Sequence, residues 1–170
     1  IKQTHIPAKV KVVVSKTRQM RQKTMATETD LKEFRREVAD WIQHNKPSDP
    51  GFLLPQTFME VGSEQVLDFL REWQHKVWSS GYLGMAWPEQ YGGRGMSPLF
   101  QDIADAEMKL ARVPICFNVI GLGWAGPLIL DKGTDYEREK YLKGILNAED
   151  IWCQGFSEPS HGSDLGSIQT

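Results

Sequence analysis

Apolar side chains recur every three or four residues over most of the sequence after Met25, which is the spacing of amphipathic α-helices. The first predicted helix ends before Pro47, because a residue that precedes proline is disfavoured in the helical conformation. Its apolar face consists of Leu31, Phe34, Val38, Trp41 and Ile42. The second predicted helix begins after a capping Ser63 and ends at Gly81. Its apolar face consists of Val66, Leu67, Leu70, Trp73, Val77 and Trp78.

Two further helices are predicted from the residues that open them. Ser97 followed by Pro98 is typical of a helix start, since proline fits the first helical position. The apolar face of this helix consists of Leu99, Ile103, Ala106 and Leu110. Thr134 and Glu137 have the spacing of a capping box. The helix that follows has an apolar face of Tyr141, Leu142, Ile145 and Leu146. Residues 25–150 are therefore predicted to form an all-α helical bundle.

The pattern changes at Ile151. Ile151–Phe156 predicts a β-strand, and residues 157–170 are rich in Ser, Gly and Asp without helical spacing. We therefore expect residues 151–170 to begin a second, β-rich domain, and the chain to be part of a longer protein.

Charge divides the chain into two regions. The first 24 of the 170 residues carry seven basic side chains and no acidic one, which leaves 13 basic against 22 acidic residues in the remainder. A folded part with net charge −9 argues against nucleic-acid binding, because phosphates favour a basic surface. We expect residues 1–24 to be a disordered extension. A mitochondrial transit peptide and a tail that binds nucleic acid or a membrane surface are alternatives.

Two features bear on the location of the protein. Cys116 and Cys153 form neither a metal-ligand spacing nor a disulfide framework, which favours a reducing, cytoplasmic compartment. The longest apolar run, Val113–Leu130, contains Asn118, two prolines and three glycines. This punctuation predicts a buried core segment rather than a stable membrane span.

Two further stretches hold candidate chemistry. Trp87–Gly95 lacks the Lys-Ser/Thr pair of a phosphate-binding loop and, taken alone, predicts a tight turn between helices. Ser157–Asp164, with the sequence SEPSHGSD, directly follows the predicted strand. Its backbone N–H groups could surround an anion such as a pyrophosphate. An ordinary loop, in which Ser and Asp side chains bond their own backbone, is the alternative.

Taken together and in this order, the two stretches resemble the acyl-CoA dehydrogenase family. That family has a Tyr-Gly-Gly-x-Gly turn between early helices, here Tyr91–Gly95. It also has a Thr/Ser-Glu-Pro-x-x-Gly-Ser-Asp loop where its middle β-domain begins, here Ser157–Asp164. The resemblance covers about residues 27–170. It implies the family's helical N-terminal domain over residues 25–150, and over 151–170 the first strand and flavin-contact loop of a truncated β-domain.

The resemblance also implies an FAD cofactor and an acyl-CoA substrate. The implied flavin contacts are Gln154, Phe156, Ser157, Gly162 and Ser163. Ser157 would present its N–H and hydroxyl to the N5/O4 edge of the flavin, and Ser163 would also lie on the side of the CoA thioester. No catalytic role is assigned to Glu158 or His161. The family's catalytic glutamate comes from a C-terminal domain, so the base is expected beyond Thr170.

The implied activity of the whole protein is α,β-dehydrogenation of acyl-CoA thioesters, with electrons passing from FAD to an electron-transfer flavoprotein. The whole protein is expected to form homo- or hetero-oligomers, and the 170-residue chain alone is expected neither to hold FAD tightly nor to turn over substrate. Alternatives are an acyl-CoA oxidase or flavin monooxygenase of the same fold, and a non-catalytic helical interaction module.

Three glycines surround Trp124 in the longest apolar run. Gly121, Gly123 and Gly126 either allow close helix packing or leave room for a bulky or long acyl group. The sequence does not distinguish between these two interpretations, close packing and space for an acyl group.

Overall fold

The computed structural model describes residues 26–155, 157–159, 162–164, 166 and 168–169. Within these ranges the chain forms five α-helices, namely α1 (Glu28–Asn45), α2 (Glu64–Ser79), α3 (Pro98–Leu110), α4 (Gly126–Lys132) and α5 (Asp135–Asn147). Short 3₁₀ turns occupy Phe58–Glu60 and Glu89–Tyr91, and a π-helical turn, Gly121–Ala125, leads directly into α4. The prediction of an all-α helical domain is confirmed.

Side-chain caps start the helices where the sequence predicts them. The Ser63 hydroxyl accepts a hydrogen bond from the Val66 N–H (3.3 Å), and the Ser97 hydroxyl accepts one from the Leu99 N–H (3.4 Å). Thr134 and Glu137 form the predicted reciprocal capping box. Such caps satisfy backbone N–H groups that have no partner inside the first helical turn.

The core lies where α1 packs against α3 and α2 packs against α5. The predicted apolar faces of α1, α2 and α5 supply nine of the eighteen buried apolar residues in the described part of the chain, which confirms these faces. Its largest cluster of buried side chains includes Phe34, Val38, Ile42, Trp73, Val77, Tyr82, Met85, Ile103, Met108 and Leu146. A second buried cluster consists of Leu70, Phe117 and Ala148, and it lies under the chain that leaves α5.

The apolar face predicted for α3 is only partly right. Leu99 is 50% exposed and Leu110 is 73% exposed, although both were expected in the core. The buried residues of α3 are Ile103, Ala104 and Met108. Phe100 packs edge-on against Phe34 of α1, with ring centroids 5.0 Å apart and planes at 87°. The core-facing side of α3 therefore includes Phe100, Ala104 and Met108 rather than Leu99 and Leu110.

The strand predicted over Ile151–Phe156 is not formed in the described residues 151–155, which have no regular secondary structure. A strand satisfies its backbone groups by pairing with a neighbouring strand, and the described residues contain no such neighbour. Phe156 and the basic extension of residues 1–24 lie outside the described residues.

The apolar run 113–130 was predicted to be a buried core segment, and this is right only in part, since Val119, Trp124 and Leu128 are 39%, 55% and 63% exposed. Pro114, Phe117 and Ile120 are buried, and Asn118 is buried with them. Of the helices formed by the described residues, none is both long enough and apolar enough to cross a membrane.

Candidate functional site

A cleft of about 850 Å³ opens between the turn that precedes α3, α3 itself and the segment that follows it. Its walls are mainly apolar and include Leu83, Met85, Met108, Val113, Leu122 and Leu146. Small-molecule sites typically enclose about 300–1,000 Å³, with apolar walls and a few polar groups. The cleft therefore has the size and character of a site for an apolar ligand.

Trp87, the first residue of the Trp87–Gly95 turn, lines this cleft, and the glycines of the turn explain its shape. Gly92 (φ +88°) and Gly95 (φ +59°) adopt the left-handed conformation that favours glycine. The Trp78 indole N–H donates to the Gly92 carbonyl (2.9 Å), and the Gly95 N–H donates to the Trp87 carbonyl (2.8 Å). The predicted tight turn is confirmed, and it carries Trp87 to the cleft wall.

The two glycines of the π-helical turn, Gly121 and Gly123, and Gly126 at the start of α4 have different surroundings. A Cβ on Gly126 would overlap the Trp87 ring, and one on Gly121 would lie 2.7 Å from the Asn118 amide oxygen. A Cβ on Gly123 would meet nothing within 4 Å, and Gly123 lines the cleft. Close packing therefore explains Gly121 and Gly126, whereas Gly123 leaves open space in the cleft.

Two polar side chains of α3 line the cleft and bond each other. The Gln101 side chain accepts from the Met85 N–H (3.1 Å) and donates to the Tyr82 carbonyl (3.3 Å). It also donates to Asp105 Oδ1 at 2.9 Å. Asp105 is exposed as a residue, but partial burial of its carboxyl group raises the pKa of Asp105 above the usual range, because the charged form loses some hydration. Neither residue could be identified from the sequence, since a polar side chain on a helix gives no signal of the cleft it faces.

The two cysteines are free and have different surroundings. Cys116 lines the cleft and is half-buried, whereas Cys153 is exposed. Burial, and secondarily the charge of Asp105, raises the pKa of the Cys116 thiol to about 12. Thiolate is the reactive form of cysteine, so Cys116 is expected to be inert near neutral pH.

Thiol labelling tests this difference. With a thiol reagent at pH 8, Cys153 is expected to react faster than Cys116 by more than about a hundredfold. Absorbance of the released chromophore would show one fast thiol per folded chain and a second after denaturation. The Cys153→Ser variant should lose the fast phase. Two equally fast thiols in the folded chain would contradict the assignment.

A buried amide pair connects the helices to the chain that leaves α5. The Asn118 side-chain amide donates to the carbonyls of Ile145 (3.0 Å) and Asp150 (2.9 Å). Its oxygen accepts from the Trp152 N–H at 3.0 Å. The Gln74 oxygen accepts from the Asn118 N–H (3.2 Å). Every amide group of Asn118 thus has a partner, and the pair fixes where the chain departs toward Ser157–Asp164.

Sequence analysis did not identify this amide pair as a functional feature. The available signals were a polar Asn118 inside an apolar run and a polar Gln74 between Trp73 and Val77. Both residues are buried, at 1% and 0% exposure.

The predicted flavin contacts that the structure describes are exposed loop residues: Gln154, Ser157, Gly162 and Ser163. Ser157 and Gly162 are brought together, since a Cβ on Gly162 would lie 3.4 Å from the Ser157 hydroxyl. Phe156 lies outside the described residues, as does His161. None of the described loop residues lines the cleft.

The loop has a donor set that fits a flavin nucleotide. The hydroxyls of Ser157 and Ser163 make no hydrogen bond to any described residue, and both are exposed. Hydroxyl and backbone N–H donors are the groups that bind a flavin edge or a pyrophosphate. Glu158 accepts from the Gln169 N–H (3.1 Å), which is consistent with a structural role. The described residues contain no group of His, Cys, Asp and Glu side chains able to hold a metal ion.

Comparison with known sequences connects these features to a family. The sequence model described as "Acyl-CoA dehydrogenase, N-terminal domain" matches residues 29–149. Acyl-CoA dehydrogenase IpdE1 of Mycolicibacterium smegmatis is 32% identical over 142 residues, which cover 83% of this chain and 36% of that protein. Acyl-CoA dehydrogenase FadE34 of Mycobacterium tuberculosis is 44% identical over 91 residues, which cover 54% of this chain and 12% of that protein.

Solved structures agree with this relationship. The Tcur3481–Tcur3483 steroid ACAD has a TM-score of 0.61 and 31% identity, over 85% of this chain and 36% of that chain. The ChsE4–ChsE5 complex from Mycobacterium tuberculosis has a TM-score of 0.60 and 25% identity, over 86% of this chain and 35% of that chain. The chain thus spans about a third of the length of IpdE1 and of these two structures. With its N-terminal-domain model matched over residues 29–149, the chain belongs to the acyl-CoA dehydrogenase family.

Proposed function

We propose that the whole protein dehydrogenates an acyl-CoA thioester at the α,β position, and that the cleft of this domain receives the acyl group. The observation that carries the proposal is the open apolar cleft of about 850 Å³ in a chain of this family. Burial of an acyl chain against apolar walls is favourable by roughly 0.8 kcal/mol per CH₂ group. The cleft thus supplies binding energy remote from the reacting carbons, which can position them.

The second part of the proposal concerns the cofactor. Bound FAD would accept the hydride that leaves the substrate. Gln154, Phe156, Ser157, Gly162 and Ser163 would hold it. Of these, Ser157 would donate hydrogen bonds to the flavin edge, and Ser163 would serve both the cofactor and the thioester side of the substrate. The base that removes the α-proton is expected outside these 170 residues.

The third part concerns the substrate and partners. A relative of known structure is described as a steroid ACAD. We propose that this protein also acts on acyl groups with bulky ring systems, since the cleft is large and Gly123 leaves space in it. We further propose that the whole protein is a homo- or hetero-oligomer, because a solved relative is the ChsE4–ChsE5 complex. An electron-transfer flavoprotein is the proposed electron acceptor.

Anaerobic titration of the complete, flavin-loaded protein tests the activity. Acyl-CoAs with straight and ring-bearing acyl groups are expected to bleach the flavin absorbance and to yield a product two hydrogens lighter by mass spectrometry. The 170-residue chain alone, mixed with FAD and passed through gel filtration, is expected to elute without flavin absorbance. Retention of flavin by the chain alone would overturn the proposed division of the site, and a flavin that no acyl-CoA bleaches would overturn the activity.

A further inference from the structure

We propose that Asp105 is a specificity-determining residue, which accepts a hydrogen bond from a hydroxyl group on the acyl part of the substrate. This inference rests on the proposed function, because it takes the cleft to be the acyl site. It depends on a different observation from the one that supports that function. One carboxyl group lies in the wall of an otherwise mainly apolar cleft.

The structure leaves half of this carboxyl group available. Asp105 Oδ1 accepts from the Gln101 side chain at 2.9 Å. Asp105 Oδ2 has no hydrogen-bond or salt-bridge partner among the described residues, although Lys109 lies one helical turn away on α3. Asp105 is exposed on the side of α3 that lines the cleft, and a carboxylate oxygen can accept more than one hydrogen bond, so Oδ2 is open to a ligand. A ligand with a donor at this position would satisfy it.

Gln101 holds the carboxyl group in place. Its own amide is fixed at both ends, since its oxygen accepts from the Met85 N–H and its nitrogen donates to the Tyr82 carbonyl. The Asp105 side chain is therefore partly ordered in the folded protein, so a ligand loses less entropy of that side chain when it binds. A pre-positioned acceptor discriminates between ligands better than a mobile one.

The charges around the cleft indicate which donor fits. Lys109 and Arg112 also line it, and neither forms an ion pair with any described residue. Two cations and one carboxylate disfavour a cationic ligand such as an ammonium group. A neutral hydroxyl meets no such repulsion.

Matched ligand pairs test the inference in the complete, flavin-loaded protein. Each pair consists of an acyl-CoA and the same acyl-CoA with one hydroxyl in place of hydrogen, in a straight-chain series with the hydroxyl at the far end and in a ring-bearing series. The wild-type protein is expected to favour at least one hydroxylated member over its partner in kcat/KM. Asp105→Leu is expected to remove that preference, a change of about tenfold in the ratio. Asp105→Asn, which keeps the size of the side chain but not its charge, is expected to give an intermediate ratio.

Asp68→Asn is the matched control for the same chemical change, because Asp68 is exposed on α2 and lines neither the cleft nor the groove that contains Leu31 and Leu99. It should leave the ratio unchanged. If Asp105→Leu changes both members of each pair equally, or the wild-type protein shows no preference in any pair, the inference is overturned while the dehydrogenase function stands. Calorimetric binding of the same pairs separates the two hypotheses further. A flavin that no acyl-CoA bleaches overturns the function, and equal dissociation constants within each pair overturn the role of Asp105.

Discussion

Gly123→Leu in the complete protein is expected to lower kcat/KM for long or ring-bearing acyl-CoAs by about 10- to 100-fold and to leave short acyl-CoAs nearly unaffected. A side chain at Gly123 enters open space, because its Cβ would meet no atom within 4 Å. Gly123 also lines the cleft and is exposed there. The leucine would therefore occupy volume that a large acyl group needs, without a clash inside the protein itself. Steady-state kinetics over a series of acyl chain lengths measures the effect.

Alanine variants at the neighbouring glycines supply the controls. Gly123→Ala adds a single methyl group in open space, and it should preserve the fold and reduce activity on large substrates only slightly. In contrast, Gly126→Ala forces a Cβ into the Trp87 ring and should lower the free energy of unfolding by about 1–3 kcal/mol. An equal loss of activity at all chain lengths in Gly123→Leu would place the acyl group elsewhere.

The helices of this domain could be predicted from the sequence because local rules set them. Capping residues such as Ser63 and Thr134 act within one turn, and the apolar faces of α1, α2 and α5 follow from residue spacing. The exposed face of α3 could not be predicted in the same way. The Phe34–Phe100 contact on the core-facing side of α3 joins residues far apart in sequence, and residue spacing contains no information about it.

The Ser157–Asp164 loop and the cleft also differ in how far each could be predicted from the sequence. The Ser157–Asp164 loop was recognisable from its residues, because a contiguous octapeptide carries the family resemblance. The cleft is assembled from four separate segments, and Gly121, Gly123 and Gly126 look alike in sequence. Only the positions of Trp87 and Asn118 distinguish the glycines that are packed from the one that is open. Sequence analysis therefore could state both interpretations of these glycines but could not choose between them.

Asn118→Asp is expected to lower the free energy of unfolding by roughly 3–5 kcal/mol at neutral pH. The change preserves size and shape but replaces the amide donors with a carboxylate oxygen. That oxygen would face the carbonyls of Ile145 and Asp150, which now accept from Asn118 at 3.0 and 2.9 Å. Two buried hydrogen bonds would be replaced by repulsion. Urea unfolding followed by tryptophan fluorescence measures the loss.

The pH dependence of this variant has a definite sign. Burial and the two carbonyls raise the folded-state pKa of the introduced carboxyl group above its unfolded value of about 3.9. Between these two pKa values the folded state binds more protons than the unfolded state, so lowering the pH stabilises the variant relative to the wild type. The loss in free energy of unfolding relative to the wild type should therefore be complete above the folded-state pKa and should decrease as the pH falls through that value.

Asn147→Asp is the matched control for the same chemical change. Asn147 is also buried, at 4% exposure, but its oxygen accepts from the Glu149 N–H at 3.0 Å. A carboxylate can accept that bond equally well, so this variant should lose only the cost of burying the charge, which is less than the loss in Asn118→Asp. Because Asn118 fixes Asp150 and Trp152, its variant should also weaken flavin retention in the complete protein, whereas Asn147→Asp should not. Equal stability losses in the two variants would mean that burial of a charge, rather than the two amide donors, sets the effect at Asn118.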